Sequence, residues 1–197
     1  MWGIVIVRAA DALSPRLGDG GVMPIHLSLG DTERPVPRWA LQLAKALPFI
    51  LLPHCLWRLP FAFDFSMGTV DPSAPSMQWW APAYVFGLSV LTEALALLCT
   101  GLVSGWGEKV PDWVPLIGSR RVAPLAAIIP ATLGGLGLIA LWDPMPLAWF
   151  GLLGFHEVAF SNGWWMLLAR VCISPVMLWG PIVLALTYAY YRRRRAV

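Results

Sequence analysis

The chain has 197 residues, of which 58% are hydrophobic and only 13% charged, with a formal net charge of +3 and a mean hydropathy of +0.66. Soluble domains carry roughly 45–50% apolar and about 25% charged residues, so the composition excludes an ordinary soluble domain and points to a bilayer as solvent. The basic residues sit beside apolar runs rather than in a continuous solvent-facing patch, which argues against nucleic acid and for membrane lipids with anionic head groups as their partners.

Residues 1–37 are mixed in character, with GDGG at 18–21 and prolines at 35 and 37, and read as a poorly ordered cytoplasmic arm. MWGIVIV lacks the basic flank of a secretory signal, so the first span is expected to be the insertion signal. Met23 is an alternative start to Met1.

Four apolar segments follow, each close to the roughly 20 residues a helix needs to cross the hydrocarbon core. They are expected at 38–63, 79–105, 122–142 and 164–191, followed by a basic cytoplasmic tail over 192–197. Trp39, Trp79, Trp80, Trp106, Trp142, Trp164, Trp165, Tyr188, Tyr190 and Tyr191 mark their ends as an interfacial aromatic belt. In the third segment Ala123, Ala127, Ala131 and Gly135 recur every four residues, a small-residue seam suited to close helix packing, within the chain or in a dimer. Between the third and fourth, DPMPLAWFGLLGFHEVAFSNG is too apolar for a free loop and too short to cross twice. It reads as an interfacial or re-entrant segment. The expected fold is an all-α membrane protein, a four-transmembrane-helix bundle.

Arg8, Arg16 and Arg34 in the arm with Arg38 at the start of the first span, Lys109, Arg120 and Arg121 in the middle loop, and Arg192 to Arg195 in the tail are eleven of the fourteen basic residues. The 64–78 and 143–163 loops hold no Lys or Arg. The positive-inside rule therefore assigns both termini and the middle loop to the cytoplasm.

His54, Arg58, Glu93 and Arg170 lie within the spans, where a charge costs roughly 2.5–3.5 kcal/mol on insertion scales and normally has a partner. At 1.5 Å per residue, Glu93 lies near the midplane, His54 about 4 Å outward, and Arg58 and Arg170 about 10 Å outward. Helical side chains lean toward their own N-terminus. That lean carries Arg170 to the outer head groups and brings Arg58 and Glu93 toward each other, so an Arg58–Glu93 contact, direct or through water, is expected, with a neutral carboxylic acid at Glu93 as the alternative. His54 shares a helix face with Arg58. These four residues form the expected binding cluster, a small polar pocket open to the outer leaflet.

The remaining chemistry-bearing residues point away from catalysis. Cys55, Cys99 and Cys172 fall in apolar runs without CxxC spacing and read as buried apolar residues. His156 and Glu157 begin an HExxH pattern whose second histidine position is Phe160, so the zinc reading fails. No nucleophile elbow or phosphate-binding loop is present in the 197 residues.

LPHCLWRLPFAFDFSMG, the string GWGxxVPxWxPxxGxRRVxP over GWGEKVPDWVPLIGSRRVAP, and WGPIVLALTYAYYRRRR resemble a family of four-span membrane proteins of high-GC Gram-positive bacteria. The likeness implies a plasma-membrane location and no particular activity, catalytic residue or cofactor. Small multidrug transporters also have four spans and a membrane glutamate, but theirs lies in the first helix. The expected function is non-enzymatic: binding a small amphiphile or anionic head group, as a transport-accessory or self-protection component. The alternatives are a structural or assembly subunit of a homo- or hetero-oligomeric complex, and an intramembrane enzyme using His54 or Glu93 on a lipophilic substrate.

Reporter fusions at Gly68 and Gly154 should read the outside, and fusions at Lys109 and after Arg195 the cytoplasm. A cytoplasmic signal at Gly154 would contradict the four-span topology.

Overall fold

A computed structural model describes residues 32–70, 78–109 and 121–195 of the chain. The expected arm over 1–31, the alternative start at Met23 and most of the middle loop lie outside the described residues. Within them the protein is all-helical, with two isolated β-bridges. Four helical segments are long and apolar enough to cross a membrane: Arg38–Phe63, Ala81–Val103, Pro124–Trp149 and Gly163–Arg195, with mean hydropathies of 1.4, 1.9, 2.0 and 1.8.

Prolines stand at several of the joints and starts in these segments, while Pro48 and Pro53 lie inside α1 (Arg38–Arg58) and Pro130 inside α3 (Pro124–Trp142). The first comprises α1 (Arg38–Arg58) and a 3-10 turn over Leu59–Phe63. Pro60 stands at the start of that turn, where its missing N–H breaks the α-helical ladder. The second comprises α2 (Ala81–Leu98), opened by a proline in its first turn, and a 3-10 turn over Cys99–Val103. Helix α3 (Pro124–Trp142) begins on a proline, whose fixed φ suits that position. It is followed by the short α4 (Met145–Trp149).

The fourth segment is built in two pieces. Helix α5 (Gly163–Ile173) is capped by Asn162, whose side chain accepts the Trp165 N–H at 3.0 Å. A 3-10 turn over Ser174–Leu178 then leads to α6 (Trp179–Arg195). Pro175 and Pro181 flank the joint and remove the hydrogen bonds that would make one straight helix. Helix α6 runs to Arg195, past the expected end at Tyr191. The arginines at 192–195 are therefore its last turn rather than a separate tail, and Arg193 is buried.

The helices form a row rather than a closed ring. Helix α2 packs on α1, α1 on α6, and α6 on α3. The core lies along the α1–α6 contact, with Leu47, Leu51, Val103, Val176, Leu186 and Tyr190 fully buried. On the outward faces Phe49, Trp79 and Leu133 are exposed, as expected where lipid replaces water.

The tightest helix contact joins α3 to α6. Gly135 is buried, and a Cβ built on Gly180 would lie 2.6 Å from Ile139 Cγ1 and 2.8 Å from the Gly135 carbonyl oxygen. Two helices approach this closely only where neither carries a side chain. The seam thus serves an intramolecular contact at Gly135, while Ala127 and Ala131 pack against the core beside it and Ala123 precedes the helix as its exposed N-cap residue.

At the other end of the molecule, the loops after α1 and α4 are stitched together. The Val70 N–H donates to the Ala159 carbonyl at 2.8 Å, and the Ser161 N–H to the Gly68 carbonyl at 2.8 Å. Gly68 has a φ of +75° and lies against Trp165, where a Cβ would overlap the indole. Only glycine fits there.

Gly180→Ala should destabilise the detergent-solubilised protein by about 1–3 kcal/mol through overpacking. Gly134→Ala, one position from the contact with nothing within 4 Å of its Cβ, should be neutral or raise stability by up to about 1 kcal/mol through helix propensity. Thermal or chemical unfolding checks the pair. Equal effects would show that α3 and α6 are not in this register.

Candidate functional site

Three arrangements could carry function. They are the intramembrane polar residues, a groove between α2 and α3, and a clasp of charged groups at one end of the groove.

His54 is buried on α1, and its ring packs edge-on against Trp142 of α3 at 5.2 Å. Arg58, one turn later, donates from Nη2 to His54 Nε2 at 2.7 Å. A guanidinium can only donate, so Nε2 carries the lone pair and the imidazole is neutral with its proton on Nδ1. Cys55 on the same helix donates to the Ser89 carbonyl of α2 at 3.8 Å, and Glu93 lies beside that thiol. Among the described residues His54 Nδ1, Arg58 Nη1 and Glu93 Oε1 are buried without hydrogen-bond partners.

A direct Arg58–Glu93 ion pair is not formed; the ion pairs of the described residues do not include either side chain. The lean of Arg58 toward its own N-terminus is the reason. It brings the guanidinium onto His54 on the same face before it reaches across to α2.

Arg170 lies apart from these three. It grips Glu157 through two bonds, from Nε to Oε1 at 3.1 Å and from Nη2 to Oε2 at 2.6 Å, and also donates to the Trp149 carbonyl at 3.3 Å. This fork-to-fork geometry ties the loop after α4 down onto α5. The structure thus brings together His54, Arg58 and Glu93 across α1 and α2, and commits Arg170 to a loop carboxylate that sequence reasoning treated only as half of a failed zinc motif.

Helices α2 and α3 face each other across a groove of about 670 Å³. One wall is Leu95 and Leu98 of α2 with Cys99 and Leu102 of the turn that follows it, the α3 wall is Ala126, Ala127, Pro130, Ala131, Gly134, Gly137, Leu138 and Leu141, and Trp179 and Val183 of α6 form the floor. The small residues of α3 create the space by supplying no side chains to fill it. From Ala126 to Leu141 the α3 wall runs about 22 Å at 1.5 Å per residue, longer than one leaflet of the roughly 30 Å hydrocarbon core. One end lies at Leu141, whose neighbour Trp142 packs on His54, and none of His54, Arg58 and Glu93 lines the groove. The other end is formed by Trp106, Gly107 and Val122.

That second end is built by the clasp. Glu108 and Arg193 form an ion pair of 2.9 Å with side chains only 4% and 5% exposed. Arg193 Nη2 also donates to the Leu102 carbonyl at 3.2 Å, and its guanidinium lies 5.5 Å from the Tyr190 ring. The Tyr190 hydroxyl donates to the Gly107 carbonyl at 3.1 Å. The second oxygen of Glu108 accepts the Glu33 N–H at 3.0 Å, and Arg34 Nη1 donates to the Arg193 carbonyl at 3.0 Å. The described end of the expected arm is thereby held against the bundle. Glu33 in turn faces Arg121 at 3.3 Å and Lys109 and Arg194 at 3.9 Å each. Two backbone links finish the end, with the Val122 N–H on the Glu108 carbonyl at 2.9 Å and Arg194 Nη2 on the Val122 carbonyl at 3.0 Å.

Sequence reasoning missed Glu33, Glu108 and Arg193, because an acid beside a lysine and an arginine within a run of four read as solvated loop and tail. The aromatic belt needs the same revision. Tyr190 is fully buried in the clasp, Trp142 packs on His54, and Trp106 fills the space above Gly101, where a Cβ would meet its ring at 2.4 Å.

Comparison with protein-family models, characterised proteins and solved structures returns no match to the chain.

Proposed function

We propose that the chain is a non-enzymatic, multi-pass membrane protein that binds a lipid-like amphiphile, holding its hydrocarbon portion in the groove between α2 and α3. The observation that carries this reading is the groove itself: about 670 Å³, walled by apolar and small side chains from Ala126 to Leu141 of α3. That volume falls within the roughly 300–1,000 Å³ of small-molecule sites. The chemistry of the polar residues supports binding over catalysis. Arg170 is committed to Glu157, and Arg58 and His54 to one another.

The surrounding assignment follows the same reading. The plasma membrane is the proposed location, with both termini in the cytoplasm as the loop charges require. The 150–158 loop exposes Phe150, Leu152, Leu153, Phe155 and Val158, which suits a segment lying in the interface between head groups and hydrocarbon.

A second reading, an assembly subunit, is favoured by the sparse cover of α3. In that segment only 6% of the most apolar stretch is buried within the chain, and its small residues suit a helix from another subunit. A spanning helix is about 10 Å across and 30 Å long, however, and would ride on the rim of a groove of this size rather than fill it.

Native mass spectrometry of the detergent-purified protein should find a co-purifying lipid. Gly134→Leu combined with Gly137→Leu should reduce its retention severalfold while the protein stays folded, because neither position has any atom within 4 Å of a built Cβ. Undiminished retention in the double variant would place the lipid elsewhere and overturn the reading. Loss of a bound protein chain instead of a lipid would favour the assembly subunit.

A further inference from the structure

None of His54, Arg58 and Glu93 of the expected polar pocket lines the groove, and His54 packs on Trp142 instead. A polar head group attached to a chain in the groove is therefore best accommodated at the opposite end. There the wall is Trp106, Gly107 and Val122. Lys109 and Arg121 follow and precede these wall residues in sequence, and Arg194 is bonded to Val122.

Among the described residues, the cations at this end outnumber the carboxylates paired with them. Among the described residues Lys109, Arg121 and Arg194 share one carboxylate, Glu33, and none of the three lies closer to it than 3.3 Å. Glu108 offers no further neutralisation because it is consumed by Arg193. The side chains of Lys109 and Arg121 are 56% and 73% exposed, so they keep free donors for a second anion. Each cation near an anionic membrane surface contributes about 1 kcal/mol of attraction, and a guanidinium can hold a phosphate through two parallel bonds.

We infer that the groove takes an anionic phospholipid, with an acyl chain between α2 and α3 and its phosphate at Lys109 and Arg121. This inference rests on the reading of the groove as a lipid site and adds the class of lipid and the position of its head. A zwitterionic lipid would fill the groove equally well but would present an ammonium group beside the same cations. Discrimination thus resides in the head group and not in the chain.

The test compares phosphatidylglycerol and phosphatidylcholine of matched acyl chains, titrated onto the full-length, delipidated protein and followed by native mass spectrometry. The expected result is at least about tenfold tighter binding of phosphatidylglycerol, corresponding to two surface cations. Lys109→Gln with Arg121→Gln should bring phosphatidylglycerol to the affinity of phosphatidylcholine and leave phosphatidylcholine unchanged. The changes are on exposed side chains, and an unaltered melting temperature will show that the fold is retained. Equal binding of both lipids to the unmodified protein would overturn the inference and leave the groove reading intact. So would a preference that survives in the double variant. Binding of neither lipid would overturn the groove reading itself.

Discussion

Glu108 and Arg193 are an ion pair removed from solvent, and each side chain is also bonded to one backbone group, the Glu33 N–H and the Leu102 carbonyl. Desolvating two charges opposes folding, and their attraction repays that only when geometry and further hydrogen bonds are good. Here the further bonds are also the tertiary structure. Through them the segment before α1, the turn after α2, the start of α3 and the last turn of α6 meet at one place. Removal of either partner would leave a charge buried among groups arranged to receive its opposite.

The groove follows from this constraint. Helix α3 touches the rest of the protein chiefly along α6, with Gly135 and Gly180 in contact, while α2 is held on α1. Nothing in the helix packing brings α2 and α3 together. Their separation is set at one end by the clasp, which seats Gly107 and Val122 through Tyr190, Glu108 and Arg194. Small residues on the facing side of α3 then leave the intervening space apolar and unfilled by protein.

Much of the fold was legible because it depends on short-range properties. Spans are read from runs of about 20 apolar residues, and the first coincides with its expected limits, 38–63. Pro60, Pro175 and Pro181 stand at or beside helix joints, whereas Pro48, Pro53 and Pro130 lie inside continuous helices, so a proline alone does not mark a joint. The site was less legible, since pairing across helices depends on rotation and depth together. Arg58 was expected to reach Glu93, yet His54 lies nearer on its own helix. Arg170 was read as reaching water, and its partner Glu157 is brought to it by a loop whose path the sequence does not encode locally. Arg193 was hidden among four identical side chains; its distinguishing feature is its place one turn beyond Tyr190, which a helix continuing past residue 191 would have revealed. Glu108 carried a weaker signal as an acid in the glycine-framed GWGEK stretch.

The most direct measurement of whether the buried pair organises the molecule is a double-mutant cycle on unfolding in detergent. Glu108→Gln alone should cost roughly 3–5 kcal/mol by stranding the guanidinium, and Glu108→Gln with Arg193→Met should recover most of that loss. Single and double variants whose effects simply add, with no coupling beyond error, would contradict a structure in which Glu108 and Arg193 hold the ends of the helices together.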